Sequence, residues 1–185
     1  MEDQLIENIS YTEECIYKEI FDYCTFSKCD FTKAKVISSI FNDCIFTDCN
    51  FSMTDLNEST LNNVTFKDCK IMGVNFSRCH DFIFEVGFDN CILDYSSFEK
   101  RKMSKTRFVR SSLKGVDFAS ADLKQSEFID ADLTDAIFYS TNLQEANFSS
   151  SFNYIINPDE NSIKKARFSR EGLVGLLSKY NIIIE

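Results

Sequence analysis

Every fifth residue from Phe21 to Phe76 is apolar, and after a break the same spacing runs from Ile83 to Phe148. A helix repeats every 3.6 residues and a strand every two, so neither produces this pattern. It is an internal repeat, and a repeat sets the architecture before any other feature. The clearest units are ADLKQ at 121–125, ADLTD at 131–135 and ANFSS at 146–150. Each reads small, polar, large apolar, polar, polar. The large residue is the centre of the unit, and the small one lies two residues before it. One unit cannot bury its own centre, but stacked units bury a continuous column.

The unit resembles that of the pentapeptide-repeat family, written A(D/N)LXX. The resemblance covers about residues 14–150, with one further unit, ARFSR, at 166–170. It implies an all-β solenoid, a right-handed quadrilateral β-helix with four units per twenty-residue coil. Seven to eight coils at roughly 4.8 Å each make a rod of about 35–40 Å. Read modulo twenty, one column holds Phe26, Phe46, Phe66, Phe88, Phe108, Phe128, Phe148 and Phe168. A second begins Phe31, Phe51, Ile71, and a third Ile16, Val36, Leu56. The fourth runs Phe21, Phe41, Leu61, Ile83, Met103, Leu123, Leu143. The columns align only with two residues inserted within 77–84, read as a bulge. The expected organisation is an N-terminal cap over 1–13, the β-helix over 14–150, and a C-terminal cap and dimerisation segment over 151–185.

The C-terminal segment departs from the repeat at Asn157–Pro158. Ser169 is a helix cap, Leu173, Val174, Leu176, Leu177 and Tyr180 follow helical spacing, and Asn181 closes the helix. Ile182, Ile183 and Ile184 read as a terminal strand. This apolar ending either covers the open end of the solenoid or pairs two chains about a two-fold axis, and a homodimer is the expectation. Leu173, Leu176, Leu177, Tyr180, Ile182, Ile183 and Ile184 are its expected contacts.

A formal net charge of −9 argues against direct nucleic-acid binding. No apolar run approaches 18 residues, so no membrane span is expected, and Met1–Ser10 does not read as a secretory leader. Six of the eight cysteines, Cys24, Cys29, Cys44, Cys49, Cys69 and Cys91, take the small inward position. Parallel ladders of this kind are spaced too widely for disulfides and do not converge on a metal. Reduced structural thiols in a cytoplasmic protein are the expectation. The single histidine, His80, has no orienting partner in sequence, and there is no phosphate-binding loop. The chain reads as a non-enzyme without cofactor or metal.

Three small positions carry a charge instead: Glu19, Asp81 and Arg101, all in the column of Phe21. An inward charge must pair or swing out. Lys100, Arg101, Lys102, Lys105, Arg107, Arg110 and Lys114 form a basic belt between acidic stretches. Neutralisation across coils and a contact for an acidic partner are both open readings of it. The face of Phe21, with Asp22, Asp43, Asp81 and Glu85, is plainly acidic, mainly in its first half.

The ending INPDENSIKKARFSREGLVGLLSKYNIIIE (156–185) resembles that of the microcin-immunity and plasmid quinolone-resistance (Qnr) pentapeptide proteins. That resemblance implies binding to DNA gyrase or topoisomerase IV by a rod that mimics duplex DNA, with relief of a quinolone or peptide toxin. The charge pattern of the Phe21 column, not the resemblance, supplies the candidate partner contacts: Asp22, Asp43, Asp81, Glu85 and Arg101. The alternative is an interaction scaffold with an unrelated protein partner. The two projecting loops of many Qnr proteins have no counterpart beyond the short insertion.

Overall fold

The computed structural model describes residues 1–183. The chain winds as a right-handed quadrilateral β-helix of about eight coils. Rungs pair in parallel, twenty residues apart: Thr25 on Ile45, Phe26 on Phe46, Ser27 on Thr47. The same register carries Phe108 onto Phe128 and Phe148 onto Phe168.

The consensus has a physical reason at each position. The small residue leaves room for the backbone to turn inward beside the core. The Asp or Asn next to it accepts a hydrogen bond from the backbone N–H two residues on, as Asp122 does from Lys124 (3.1 Å) and Asp132 from Thr134 (3.1 Å). The second residue after most centres adopts the left-handed conformation, for example Asp43 (φ 52°), Asp68 (φ 55°) and Asp130 (φ 50°). Asp and Asn tolerate that conformation better than most side chains. Where Gly73 and Gly115 occupy this corner, Met53 and Tyr95 of the coil before lie across them. A Cβ would come within 2.6 Å of the Met53 sulfur and 2.8 Å of the Tyr95 ring.

The centres fill the interior. Phe26, Phe46, Phe66, Phe88 and Phe108 stack nearly parallel, with successive centroids 4.6, 5.1, 5.4 and 5.3 Å apart. Neighbouring columns meet edge to face, as Phe108 meets Phe118 at 5.7 Å and 77°. Both geometries suit the aromatic quadrupole. Hydroxyls and thiols at the small position donate to carbonyls of the preceding coil, Ser59 to Val36 at 2.8 Å and Cys44 to Phe21 at 3.4 Å.

All eight cysteines are free; Cys15 is exposed and the other seven, Cys79 included, are buried. Burial pushes the Cys44 thiol up to about 11 and the Cys79 thiol up to about 12. The thiolate is the reactive form, so these groups are inert at neutral pH. Ellman's reagent should therefore titrate one thiol, Cys15, rapidly in the native protein and the remaining seven only after denaturation. Three or more fast-reacting thiols would contradict the packing.

The structure departs from the sequence expectation in three places. Residues 1–13 are not a separate cap. Leu5–Glu7 pairs with Thr25–Ser27 and Tyr11 stacks on Phe31 at 4.8 Å, because Ile6 and Tyr11 are in phase with the centres twenty residues later.

The second departure is at the insertion. Leu61 pairs with Phe84, Val64 with Val86 and Phe66 with Phe88. Phe84, not Ile83, is thus the centre: Phe84 is 9% exposed and Ile83 38%. Against the twenty-residue register, three residues are gained before Phe84 (61 to 84) and one is lost by Phe88 (66 to 88). The corner between the two faces is cut, and Phe84, Val86 and Phe88 point inward along one strand, Phe84–Asp89, with the ordinary period of two. His80, Asp81, Phe82 and Ile83 lie outside as a short exposed loop.

The third departure is the terminal strand; the short C-terminal helix is present as expected. The helix is short, Leu173–Leu177, followed by a 3-10 turn, Ser178–Tyr180. Ser169 Oγ accepts from Gly172 N at 3.0 Å, and Asn181 closes the turn in the left-handed conformation (φ 49°). Ile182 and Ile183 form no strand, having no neighbouring rung to pair with; Ile184 lies outside the described residues.

Candidate partner-binding surface

The face of Phe21 presents its carboxylates from a rigid ladder. Glu2 bridges to Asp22, Asp22 pairs with Asn42, and Asn42 with Asn62. Asn42 donates to Asp22 at 2.7 Å and Asn62 donates to Asn42 at 3.1 Å. Beside them Asn63 donates to Asp43 at 2.6 Å. Amide donors thus hold Asp22 and Asp43 in place and leave their charge uncompensated, since neither makes an ion pair among the described residues. Glu85 continues the column above Asn62 and Asn63, where the cut corner leaves a notch of about 400 Å³.

Arg101 is a correction to the expected contact set. It is buried, at 3% exposure, and cannot touch a partner. Its guanidinium donates to the Cys79 carbonyl (2.9 Å), the His80 carbonyl (2.8 Å) and Asp81 Oδ1 (2.8 Å). It also lies 4.4 Å from the centroid of the Phe84 ring. In the coil before, the equivalent rung is a backbone bond from His80 N to the Ser59 carbonyl. The insertion carries the next coil out of that register, and the guanidinium supplies the donors instead. Asp81, 97% exposed in its side chain, completes the ion pair at the rim. Arg101 and Asp81 therefore fix the loop, and Phe82 projects from it, 86% exposed.

Most of the basic belt is neutralised, Arg107, Arg110 and Lys114 across coils and Lys100 by its sequence neighbour. Arg107 pairs with Glu127 at 3.0 Å, Lys114 with Asp132 at 3.2 Å, Lys100 with Glu99 at 2.6 Å, and Arg110 with Asp89. Lys102 and Lys105 make no ion pair among the described residues. Both line the notch beside Glu85.

At the far end the helix rests on Tyr154. A Cβ on Gly172 would fall 1.7 Å from the Tyr154 hydroxyl, and one on Gly175 2.0 Å from its carbonyl oxygen, so only glycine allows this approach. Ile156 N donates to the Gly175 carbonyl at 3.1 Å. Leu176 packs on the core and Leu177 is half-buried. Leu173, Tyr180, Ile182 and Ile183 are exposed. The helix thus covers the end of the core and still leaves an apolar outer surface.

Sequence and structure comparisons agree with this geometry. A family model for the pentapeptide repeat region matches residues 19–81 and 82–151, its two matches meeting within the exposed loop. No curated protein matches the chain significantly by sequence. Among solved structures, a trypsin-treated form of QnrB1, a plasmid-mediated fluoroquinolone resistance protein, superimposes with a TM-score of 0.69 at 16% identity, covering 98% of this chain and 100% of that one. A second trypsin-treated form gives 0.66 at 17% identity, covering 100% and 98%. Full-length QnrB1 gives 0.52 at 17% identity, covering 98% and 100%. At such identity the likeness is one of fold. The chain belongs to the pentapeptide-repeat family.

Proposed function

We propose that this protein is a non-catalytic binding protein that occupies the DNA groove of a type II topoisomerase, DNA gyrase or topoisomerase IV, and so relieves a quinolone or peptide toxin. The observation that carries this reading is the acidic ladder of Glu2, Asp22 and Asp43 on a rigid rod. Eight coil rises of about 4.8 Å span about 38 Å, close to eleven base pairs at 3.4 Å. A groove that receives DNA is positive and attracts such a face. The fold-level likeness to QnrB1, named as a fluoroquinolone resistance protein, supports the same class of role. Asp22, Asp43 and Glu85 are the contact residues in this reading, while Arg101 and Asp81 act by holding the loop. The exposed apolar surface of Leu173, Tyr180, Ile182 and Ile183 is assigned to a homodimer made end to end.

A supercoiling assay tests the proposal. Adding the purified protein to gyrase should depress supercoiling and DNA binding at tens of micromolar protein or below, and added salt should weaken the effect. Supercoiling and DNA binding both unchanged at that concentration would overturn it.

A further inference from the structure

The face of Phe21 is electrically divided, and the division falls at its middle. Four rungs precede Phe84, those of Met1, Phe21, Phe41 and Leu61, and four follow it, those of Met103, Leu123, Leu143 and Ile163. Between corners, the first four rungs carry Glu2, Asp3, Asp22 and Asp43 and no lysine or arginine. The last four carry Lys102, Lys105, Lys124, Lys164 and Lys165 against only Asp122 and Glu145. None of these five lysines makes an ion pair among the described residues. The exposed loop with Phe82 and Ile83 stands at the boundary, at the entry to the Phe84 rung, and Arg101 anchors it.

We infer that a second copy of this chain docks on this face side by side and antiparallel, about a two-fold axis through the Phe84 rung. An isologous contact places each rung against its mirror number along the rod. Glu2 and Asp3 then face Lys164 and Lys165, Asp43 faces the Lys124 rung, and Asn62 and Asn63 face Lys102 and Lys105. Asp22, opposite Glu145, and Glu85, opposite Glu85 of the second copy at the axis, meet like charge and gain nothing. A parallel arrangement would set like charge on like. The loops of the two copies meet at the axis, where Phe82 of each covers the other's exposed ring. The contact is narrow and mostly charged, so it forms at low ionic strength and dissolves in salt. It covers the same carboxylates that the topoisomerase reading uses, but it stands without that reading.

Disulfide trapping tests the arrangement in the full chain. Phe82→Cys in a Cys15→Ser background carries one exposed thiol per chain at the axis. In an end-to-end dimer through the C-terminus the two positions lie four rungs from each end, about 38 Å apart, far beyond disulfide reach. Under mild oxidation at about 50 mM salt a cross-linked dimer is expected, falling several-fold at about 500 mM. Asp43→Lys should suppress it, and adding Lys124→Asp should restore it. A yield that is negligible at low salt, or indifferent to salt and to both charge reversals, would overturn the inference. So would failure of the double variant to recover.

Discussion

Replacing Arg101 with alanine is expected to destabilise the protein by about 3–5 kcal/mol, from two carbonyls left without donors at about 1–3 kcal/mol each and from lost packing. The loss has two sources. The carbonyls of Cys79 and His80 lose the donors that replace the missing backbone rung. The Phe84 ring loses the guanidinium that covers it. For a chain of this length the melting temperature should fall by about 6–20 °C. Asp81→Asn provides the contrast. Its carboxylate is exposed, so the change should cost no more than about 1 kcal/mol. Thermal melts of the two variants side by side check this. Equal, small shifts would show that Arg101 is a surface residue rather than the peg of the insertion.

The other large effect belongs to the phenylalanine column. Phe108 is fully buried and stacks on Phe88 at 5.3 Å and Phe128 at 5.0 Å. Phe108→Ala should cost about 3–5 kcal/mol, from lost transfer energy and from a cavity that stacked neighbours cannot close. A solenoid coil touches only the coils beside it, so the damage should be local. Hydrogen exchange should quicken in the rungs of Phe88, Phe108 and Phe128 before those near Phe26. Phe82→Ala, on the exposed loop, should leave stability within about 0.5 kcal/mol of wild type. A Phe108→Ala loss below about 1 kcal/mol would mean the column does not hold the rod together.

The repeat was legible because every centre has the same job. A five-residue phase and a twenty-residue coil place Phe26 under Phe46 and carry the column through to Phe168 without further information. The insertion was not legible in the same way. Phe82, Ile83 and Phe84 are all large and apolar, and phase counting selected Ile83. Only three-dimensional pairing with Leu61 selects Phe84. Arg101 and Asp81 stood out as inward charges in one column, so their ion pair was among the readings. The larger role of Arg101, capping two backbone carbonyls, has no sequence signal, because it replaces bonds that the insertion removes.

The ends show the opposite limits. Ile6 and Tyr11 lie twenty residues before Phe26 and Phe31, so the first coil could have been recognised by extending the column backwards. The terminal isoleucines look like a strand by composition, but a strand needs an edge, and Ile182 and Ile183 meet none. The helix stop at Asn181 and the Ser169 contact follow from local chemistry and were readable. Its close seat on Tyr154 was not, since the meaning of Gly172 and Gly175 depends on what lies beneath them.

The acidic surface was visible as residues before it was visible as a ladder. Asp22 and Asp43 were selected by sign, and the structure adds that Asn42, Asn62 and Asn63 hold them in register. The basic belt, which looked like a rival surface, is largely consumed by its neighbours, with Arg107 engaged by Glu127. The most direct test of the account is therefore a competition titration, in which the protein displaces a labelled duplex from DNA gyrase. Wild type should displace the duplex, Asp22→Lys combined with Asp43→Lys should require at least several-fold more protein, and Arg107→Glu should behave as wild type. Displacement unaffected by the double reversal, or no displacement by the wild type at tens of micromolar, would contradict the account.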